Sequence, residues 1–176
     1  MANKALPGLF LALCSLGFAQ TTPGLRNFHQ VNDHIYRGAQ PAVWGYKTLA
    51  SLGVRTVIDL RGEGISEAVE EKLVKTNGMS FITVPLDGHK APSDDNIAKL
   101  LTILSDQSKW PVYIHCRRGA DRTGTVVACY RIAHDNWDNQ KALNEAKSYD
   151  MDPAQKLMQK FILQFHASTP TFNATP

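Results

Sequence analysis

The sequence predicts an α/β fold, with a central, mostly parallel sheet of four to five strands flanked by helices. Short β-branched runs alternate along the chain with longer segments of helical periodicity, which is the pattern of parallel βαβ units. The chain has 176 residues, of which 43% are hydrophobic. That size and apolar fraction are sufficient for one domain with a core of its own.

The predicted elements follow one another in order after residue 30. We predict strands at 31–37, 54–60, 80–84 and 112–115, the first of them either a strand or a hairpin. We predict helices at 42–52, 66–77, 94–105, 123–135, 139–149 and 152–166. Ser66, Ser93 and Asp138 are residue types that cap helix N-termini, while Gly53 and Gly78 are placed to end helices.

The first 19 residues predict a signal peptide. Lys4 provides a short positive region, residues 6–18 are mostly apolar, and Gly17 and Ala19 place small residues where a signal peptidase cleaves. We expect cleavage after Ala19, export to the periplasm or the medium, and no stable membrane insertion of the mature chain. An uncleaved anchor is one alternative, although the apolar run is short for a membrane span. A lipoprotein signal at Cys14 is the other.

The rest of the chain divides into three parts. We expect an extended leader at 20–30, the folded domain at 31–167 and a frayed tail at 168–176. The sequence contains no internal repeat and no low-complexity linker, so a single domain is predicted. It does not determine the oligomeric state.

Charge and cysteine content narrow the classes of function. The net charge of +3 is compatible with an anionic substrate but too small to indicate nucleic acid binding. The mature chain keeps Cys116 and Cys129, too few for a domain stapled by disulfides, and Cys129 is interpreted as core packing. The six histidines lack the spacing of a zinc site, so we predict no metal and no cofactor. Trp44, Trp110 and Trp137 are interpreted as core or edge aromatics.

The predicted strand at 112–115 runs directly into a loop that opens the next helix. The segment from His115 to Gly124 reads His-Cys-Arg-Arg-Gly-Ala-Asp-Arg-Thr-Gly. A loop entering a helix N-terminus points several backbone N–H groups inward, and the helix dipole adds positive potential. The sequence therefore predicts a cradle for a phosphate group, formed by Arg117, Arg118, Gly119, Ala120, Asp121, Thr123 and Gly124.

Two residues of this segment carry the predicted chemistry. The field of the cradle favours the thiolate form of Cys116, which makes it a nucleophile. Five residues separate it from Arg122, so the loop can curl and place the guanidinium over the sulfur, where it binds two phosphoryl oxygens. The Thr123 hydroxyl is placed to donate to that sulfur. His115 either holds the loop or tunes the thiolate.

The pattern His-Cys, five residues, Arg-Thr-Gly resembles the signature of the protein tyrosine and dual-specificity phosphatase superfamily. Residues 32–41 and 86–92 also resemble the entry segment and the general-acid loop of plant and fungal atypical dual-specificity phosphatases. The resemblance implies a phosphatase-like fold, here in a bacterial exported member. It implies hydrolysis of phosphate monoesters through a phosphocysteine intermediate. The implied substrates are phosphotyrosine, phosphoserine or phosphothreonine proteins or inositol phosphates. Ala120 and Asp121 stand where that branch carries basic residues.

The reaction also needs a proton donor for the leaving oxygen. Asp87 lies on a loop with Gly88 and Pro92, at the position that matches the acid of the family. Asp94 and Asp95 fall in the first turn of a predicted helix, where acidic residues commonly complement the dipole. Asp87 is the favoured acid, and the other two remain alternatives.

Several charged residues have weaker predicted roles. Asp121 is expected to brace the loop by pairing with a nearby arginine. Arg117 and Arg118 either contact phosphate or face solvent. Arg37 is expected in a structural ion pair rather than in the site, and Lys90 is interpreted as a solvated loop lysine.

Three other functions share part of this pattern. A catalytically weak phosphate-binding module would use the same cradle, but this chain keeps the nucleophile, the arginine and the acid. A rhodanese-like sulfurtransferase also has a cysteine loop after a strand, but without the Arg-Thr-Gly ending. An arsenate reductase of the phosphatase-like kind would need further shuttling cysteines.

Overall fold

The computed structural model describes residues 22–62 and 65–167. Its five strands are β1 (His29–Asn32), β2 (Ile35–Ala39), β3 (Thr56–Asp59), β4 (Ser80–Thr83) and β5 (Val112–Cys116). They form one sheet in the order β1-β2-β5-β3-β4. The β1–β2 hairpin is antiparallel, and the other three pairings are parallel. The predicted mostly parallel sheet of four to five strands is confirmed, and it has five strands.

The described helices lie between and after these strands. They are α1 (Gly45–Ser51), α2 (Ile65–Thr76), α3 (Asp94–Ser105), α4 (Asp121–Asp135), α5 (Asn139–Ser148) and α6 (Lys156–Gln164), with a short 3-10 turn at Gln107–Lys109. Among the residues that are described, no helix is both long and apolar enough to cross a membrane.

The local signals at helix ends are confirmed where they depend on neighbouring residues. Ser93 accepts a hydrogen bond at 3.2 Å from the amide of Asn96 at the start of α3. Asp138 caps α5 in the same way. Gly53 and Gly78 follow α1 and α2 with φ of +78°, a conformation that glycine adopts without strain.

Four predicted helix starts are wrong, among them that of α4, which begins at Asp121 rather than at 123. Helix α1 begins at Gly45 rather than at 42, and α2 begins at Ile65, before the serine predicted as its cap. Helix α6 begins at Lys156 rather than at 152. There the Asp152 carboxylate accepts a hydrogen bond from the amide of Ala154 at 2.8 Å, so it closes a turn ahead of the helix.

The segment expected as an extended leader, 20–30, is described from Thr22 on and takes part in the packing. Leu25 is buried, and the Arg26 carbonyl accepts a hydrogen bond at 2.9 Å from the amide of Ala39. Strand β1 begins at His29, so the end of this segment belongs to the sheet. The predicted signal peptide at 1–19 and the predicted tail at 168–176 lie outside the described residues.

Apolar side chains alternate between the two faces of the sheet. Ile58 and Ile114 point into a core closed by α3 and α4, whereas Val57 and Tyr113 point into a core closed by α1 and α2. Cys129 is fully buried in the first of these cores, as predicted. Burial on both faces explains why the inner strands read as continuous β-branched runs.

The parallel register brings the ends of three strands to one edge. Ala39 of β2 lies beside Cys116 of β5, and Asp59 of β3 lies beside His115. Ligand sites of parallel sheets lie at the carboxyl ends of the strands, so this edge is where a site is expected.

Candidate active site

The predicted strand, loop and helix are present in one continuous segment. Strand β5 ends at Cys116, α4 begins at Asp121, and a tight loop of four residues joins them. Cys116 is a free thiol, and the residue is 2% exposed. Ala120 is buried at the N-cap position of α4. The thiol therefore lies where the amides and dipole of a helix N-terminus stabilise a negative charge.

Gly119 allows this loop to lie against the neighbouring strand. Its φ is +74°, a left-handed conformation that costs other residues energy. A Cβ at this position would lie 2.5 Å from the amide nitrogen of Ala39 and closer still to the carbonyl of Gly38. Glycine is required here for both backbone conformation and space.

A buried arginine supports the loop from below. Arg37 is fully buried on β2, and its Nη2 donates to the Gly119 carbonyl at 2.9 Å. Its guanidinium stacks on the Tyr149 ring at 4.7 Å. Burial lowers the pKa of the Arg37 guanidinium to about 10. The prediction that Arg37 forms an ion pair is wrong, because within the described part of the chain it makes none. Instead, it donates to a backbone carbonyl of the loop at 117–120, which we call the phosphate loop.

Asp121 braces the loop, as predicted. Its carboxylate accepts one hydrogen bond from Arg118 Nη2 at 2.7 Å and another from the amide of Asp152 at 2.9 Å. The bond to Asp121 raises the pKa of the Arg118 guanidinium. Arg118 is therefore engaged with an acid of its own loop, whereas the exposed Arg117 makes no side-chain bond to any described residue. The two arginines have different surroundings, which the sequence alone does not distinguish.

Arg122 lies on the first turn of α4 beneath the loop that carries Asp87. Its Nη1 donates to the Leu86 carbonyl at 3.4 Å, and its guanidinium carbon is 3.8 Å from where a Cβ on Gly88 would lie. Gln155 Nε2 donates to the Gly88 carbonyl at 3.0 Å and ties the loop to the segment before α6. Arg122 and the Asp87 loop are thus brought together at the mouth of the cradle.

Asp87 is exposed and is held as a carboxylate by its own loop. It accepts a hydrogen bond from the amide of His89 at 2.7 Å, and Lys90 Nζ lies 3.6 Å from its other oxygen. The His89 amide, together with the Lys90 ammonium, lowers the pKa of the Asp87 carboxyl below its ordinary value. Asp94 and Asp95 are exposed in the first turn of α3.

His115 is part of a buried polar cluster that sequence reasoning missed. Its Nε2 lies 2.9 Å from Glu70 Oε1, at an angle short of a hydrogen bond, and its Nδ1 lies 3.9 Å from Asp59 Oδ1. Arg61 binds both carboxylates. His115 Nδ1 also lies 3.4 Å from the Cys116 carbonyl oxygen. The available signal was Asp59, an acid inside a buried strand, followed two residues later by an arginine.

This cluster is also the one place among the described residues where three potential metal ligands converge, namely Asp59, Glu70 and His115. The Arg61 guanidinium contacts both carboxylates. A cation is therefore already supplied by the chain at this position, and the cluster is explained as a buried ion-pair network.

Thr123 and Gly124 continue the motif into α4. Thr123 is fully buried, and its hydroxyl has no hydrogen-bond partner in the described part of the chain. The predicted donation from Thr123 to the Cys116 sulfur is therefore not made in this structure. A Cβ on Gly124 would lie 3.3 Å from side-chain atoms of both Ala146 and Met151, so this glycine allows close helix packing.

Comparison with known proteins identifies the family. A family model described as "DSP-PTPase phosphatase fused to NAD+ Kinase" matches residues 21–164. The chain belongs to the dual-specificity and tyrosine phosphatase family. This phosphatase hydrolyses phosphate monoesters, and neither the sulfurtransferase nor the inactive binding module is favoured.

Individual relatives agree with this assignment. The chain is 31% identical over 147 residues to a rice protein named inositol diphosphatase DSP2, covering 81% of this chain and 71% of the relative. It is 27% identical over 154 residues to the probable tyrosine-protein phosphatase DG1060 of Dictyostelium discoideum, covering 85% and 92% of the two chains.

Solved structures share the fold. The core catalytic domain of the PP-IP phosphatase SIW14 from S. cerevisiae, in complex with citrate, superposes with a TM-score of 0.74 at 25% identity. That match covers 83% of this chain and 89% of the yeast domain. PTPMT1 in complex with PI(5)P superposes with a TM-score of 0.62 at 25% identity, covering 77% and 94%. The α/β sheet flanked by helices is therefore the fold of known phosphatases.

Proposed function

We propose that this phosphatase acts in two steps through a phosphocysteine at Cys116. The thiolate attacks phosphorus while the bond from phosphorus to the leaving oxygen breaks, and Asp87 gives that oxygen a proton. Water then attacks the phosphocysteine and gives a proton back to Asp87, so that inorganic phosphate and the thiolate are released. The observation that carries the proposal is the placement of Cys116 at the end of β5, joined to the N-terminus of α4 by a loop of only four residues.

Arg122 is proposed to hold the phosphoryl group during both steps. It lies one residue inside α4, between the cradle and the Leu86 carbonyl. A guanidinium binds two phosphoryl oxygens bidentately and stabilises the charge that develops in the transition state. The weak 3.4 Å bond to Leu86 leaves its donors available to a substrate.

The proposed acid must change its protonation state when substrate binds. In this structure the His89 amide stabilises Asp87 as a carboxylate. A phosphate dianion in the cradle would disfavour a second negative charge nearby and raise the pKa of Asp87. Substrate binding would therefore itself favour the protonated acid.

Inositol phosphates carrying several phosphate groups are the proposed substrates. Rice and Arabidopsis thaliana relatives are named inositol diphosphatases, and Arg117 adds a positive charge at the cradle that no described residue pairs. The competing candidate is a singly phosphorylated protein. Asp121 favours the phosphoprotein. Its carboxylate neutralises Arg118, at a position where the plant and fungal branch carries basic residues.

Leaving-group dependence tests the catalytic assignment. Asp87→Asn should slow hydrolysis of a phosphotyrosine peptide by roughly 10²–10⁴-fold, and should slow an activated aryl phosphate much less, because an activated phenol leaves without a proton. Asp95→Asn is the matched control. If Asp95→Asn shows the leaving-group-dependent loss of activity and Asp87→Asn does not, the general acid lies on α3 and the assignment to Asp87 is wrong.

A panel of diphosphoinositol polyphosphates, inositol polyphosphates and phosphopeptides, with released phosphate as the readout, tests the substrate class. Cys116→Ser is the blank for each substrate. The highest kcat/KM for an inositol compound supports the proposal, and the highest value for a phosphopeptide supports the competing candidate.

Export is a further part of the proposal. It is supported by the positive, apolar and small-residue pattern of residues 4–19. Mass spectrometry of the native protein should give a chain that begins at Gln20. A native chain that still begins at Met1 would contradict cleavage.

A further inference from the structure

A groove of about 620 Å³ lies beside the phosphate loop. Its lining includes Arg117 from the loop, Arg26 from the segment before β1, and Trp44 at the start of α1. Trp44 is 66% exposed, so the interpretation of this residue as a core or edge aromatic is wrong. The groove therefore combines an uncovered aromatic wall with two arginines.

One wall of the groove is formed where two backbone segments cross closely. Gly24 has φ of +79°, and its carbonyl accepts a hydrogen bond from the amide of Ala42 at 2.9 Å. A Cβ on Gly45 would lie 2.6 Å from the Gly24 carbonyl oxygen. This close crossing requires glycine on both segments and fixes the wall of the groove before any ligand binds.

Sheet geometry places the groove within reach of the nucleophile. The Arg26 carbonyl bonds to Ala39, and Ala39 lies beside Cys116 in the parallel register. Adjacent strands are about 4.8 Å apart, so the backbone of residue 26 lies about 10 Å from that of Cys116. The groove crosses the end of β2, between Arg26 on one side and Arg117 on the other.

The charges in the groove are not compensated by the described residues. Arg26 and Arg117 are both exposed, and neither makes a side-chain hydrogen bond or ion pair with a described residue. Arg37 and Arg118, by contrast, are engaged with the loop itself. Two such uncompensated guanidiniums facing one groove create a positive potential that attracts an anion.

We infer that this groove binds a second phosphate group of the molecule whose first phosphate lies in the cradle. The inference rests on the proposed function and narrows its substrate to a compact polyol that carries several phosphates. Arg26 and Arg117 bind the second phosphate, while the Trp44 ring covers the polyol. Arg26 is a specificity-determining residue, because it lies too far from Cys116 to act on the reacting phosphorus.

Kinetics on paired substrates test this. The quantity measured is the ratio of kcat/KM for a diphosphoinositol polyphosphate to kcat/KM for phenyl phosphate. Arg26→Gln should lower this ratio about 10-fold. This is the low end of the effect expected for loss of a charge-assisted hydrogen bond, because the groove is open to solvent. Arg26→Glu should lower it further. Arg55→Gln is the matched control, because Arg55 is exposed at the opposite end of the sheet, just before β3.

A binding measurement separates affinity from turnover. In the Cys116→Ser background, titration calorimetry with inositol hexakisphosphate should give a Kd about 10-fold weaker when Arg26→Gln is added. The Kd of inorganic phosphate, which fills only the cradle, should stay within twofold. An equal loss for both ligands would mean that Arg26 acts on the cradle and would overturn the inference.

The remaining outcomes distinguish this inference from the proposed function. If the wild type hydrolyses the inositol substrate and Arg26→Gln leaves the ratio unchanged, the groove is wrong and the function stands. The same ratio can be measured with a phosphotyrosine peptide that has acidic neighbours in place of the inositol compound. If Arg26→Gln lowers only the ratio for the peptide, a peptide occupies the groove and the inference is overturned. If the wild type hydrolyses none of these substrates, the proposed function is contradicted, and the inference that rests on it is overturned with it.

Discussion

Replacement of Gly119 by alanine should destabilise the phosphate loop by an amount that the structure allows us to estimate. The left-handed backbone conformation costs a non-glycine residue about 1–2 kcal/mol. The new Cβ would also lie 2.5 Å from the amide nitrogen of Ala39, and overpacking of this kind costs a further 1–3 kcal/mol or so. We therefore expect the free energy of unfolding to fall by about 2–5 kcal/mol.

The matched control is Gly78→Ala. Gly78 has φ of +78°, and a Cβ added there would have no heavy atom within 4 Å, so this variant incurs only the backbone cost of about 1–2 kcal/mol. Urea unfolding of both variants, with equal m-values, gives the difference between the two costs. Gly119→Ala should also lose activity on phenyl phosphate, because the loop must move away from β2. Equal free energies of unfolding for the two variants would refute this explanation of the loop.

Two further predictions concern the acid and the buried cluster. Lys90→Gln removes an ammonium that favours the Asp87 carboxylate, so the pKa of Asp87 should rise. The basic limb of the pH profile of kcat/KM for a phosphotyrosine peptide should therefore move to higher pH. A shift to lower pH would contradict this prediction. Glu70→Gln leaves the buried His115 cluster without one of its two carboxylates and should cost about 3–5 kcal/mol of unfolding free energy in urea. Glu71→Gln, on the surface, should cost less than about 0.5 kcal/mol, and an equal cost for the two would contradict the cluster.

The fold could be predicted where the signals are local. Ser93 precedes α3 by one residue, and the β-branched run that contains Val57 and Ile58 is buried on both faces of the sheet. The start of α6 could not be predicted, because the side chain of Asp152 closes a turn that competes with helix formation. Leu25 could not be placed either, because its burial depends on segments far along the chain.

The candidate site divides in the same way. Cys116 and Arg122 were predicted because both belong to one short strand–loop–helix segment, so a local pattern contains them. Arg37 and Glu70 were not assigned to the site, because β2 brings Arg37 to the loop and α2 brings Glu70 to His115 from distant parts of the chain. The physical signal in the sequence is a charged residue at a position that the strand or helix pattern buries, and such a residue requires a partner.

The central claim is that phosphate passes through the sulfur of Cys116. Rapid acid quenching of the enzyme during turnover of phenyl phosphate, followed by peptide mass spectrometry, tests it directly. We predict phosphate on the peptide that contains Cys116, formed within the first turnover and absent from Cys116→Ser, which should release no phosphate. Turnover by Cys116→Ser, or a phosphorylated residue other than Cys116 in the active wild type, would contradict it.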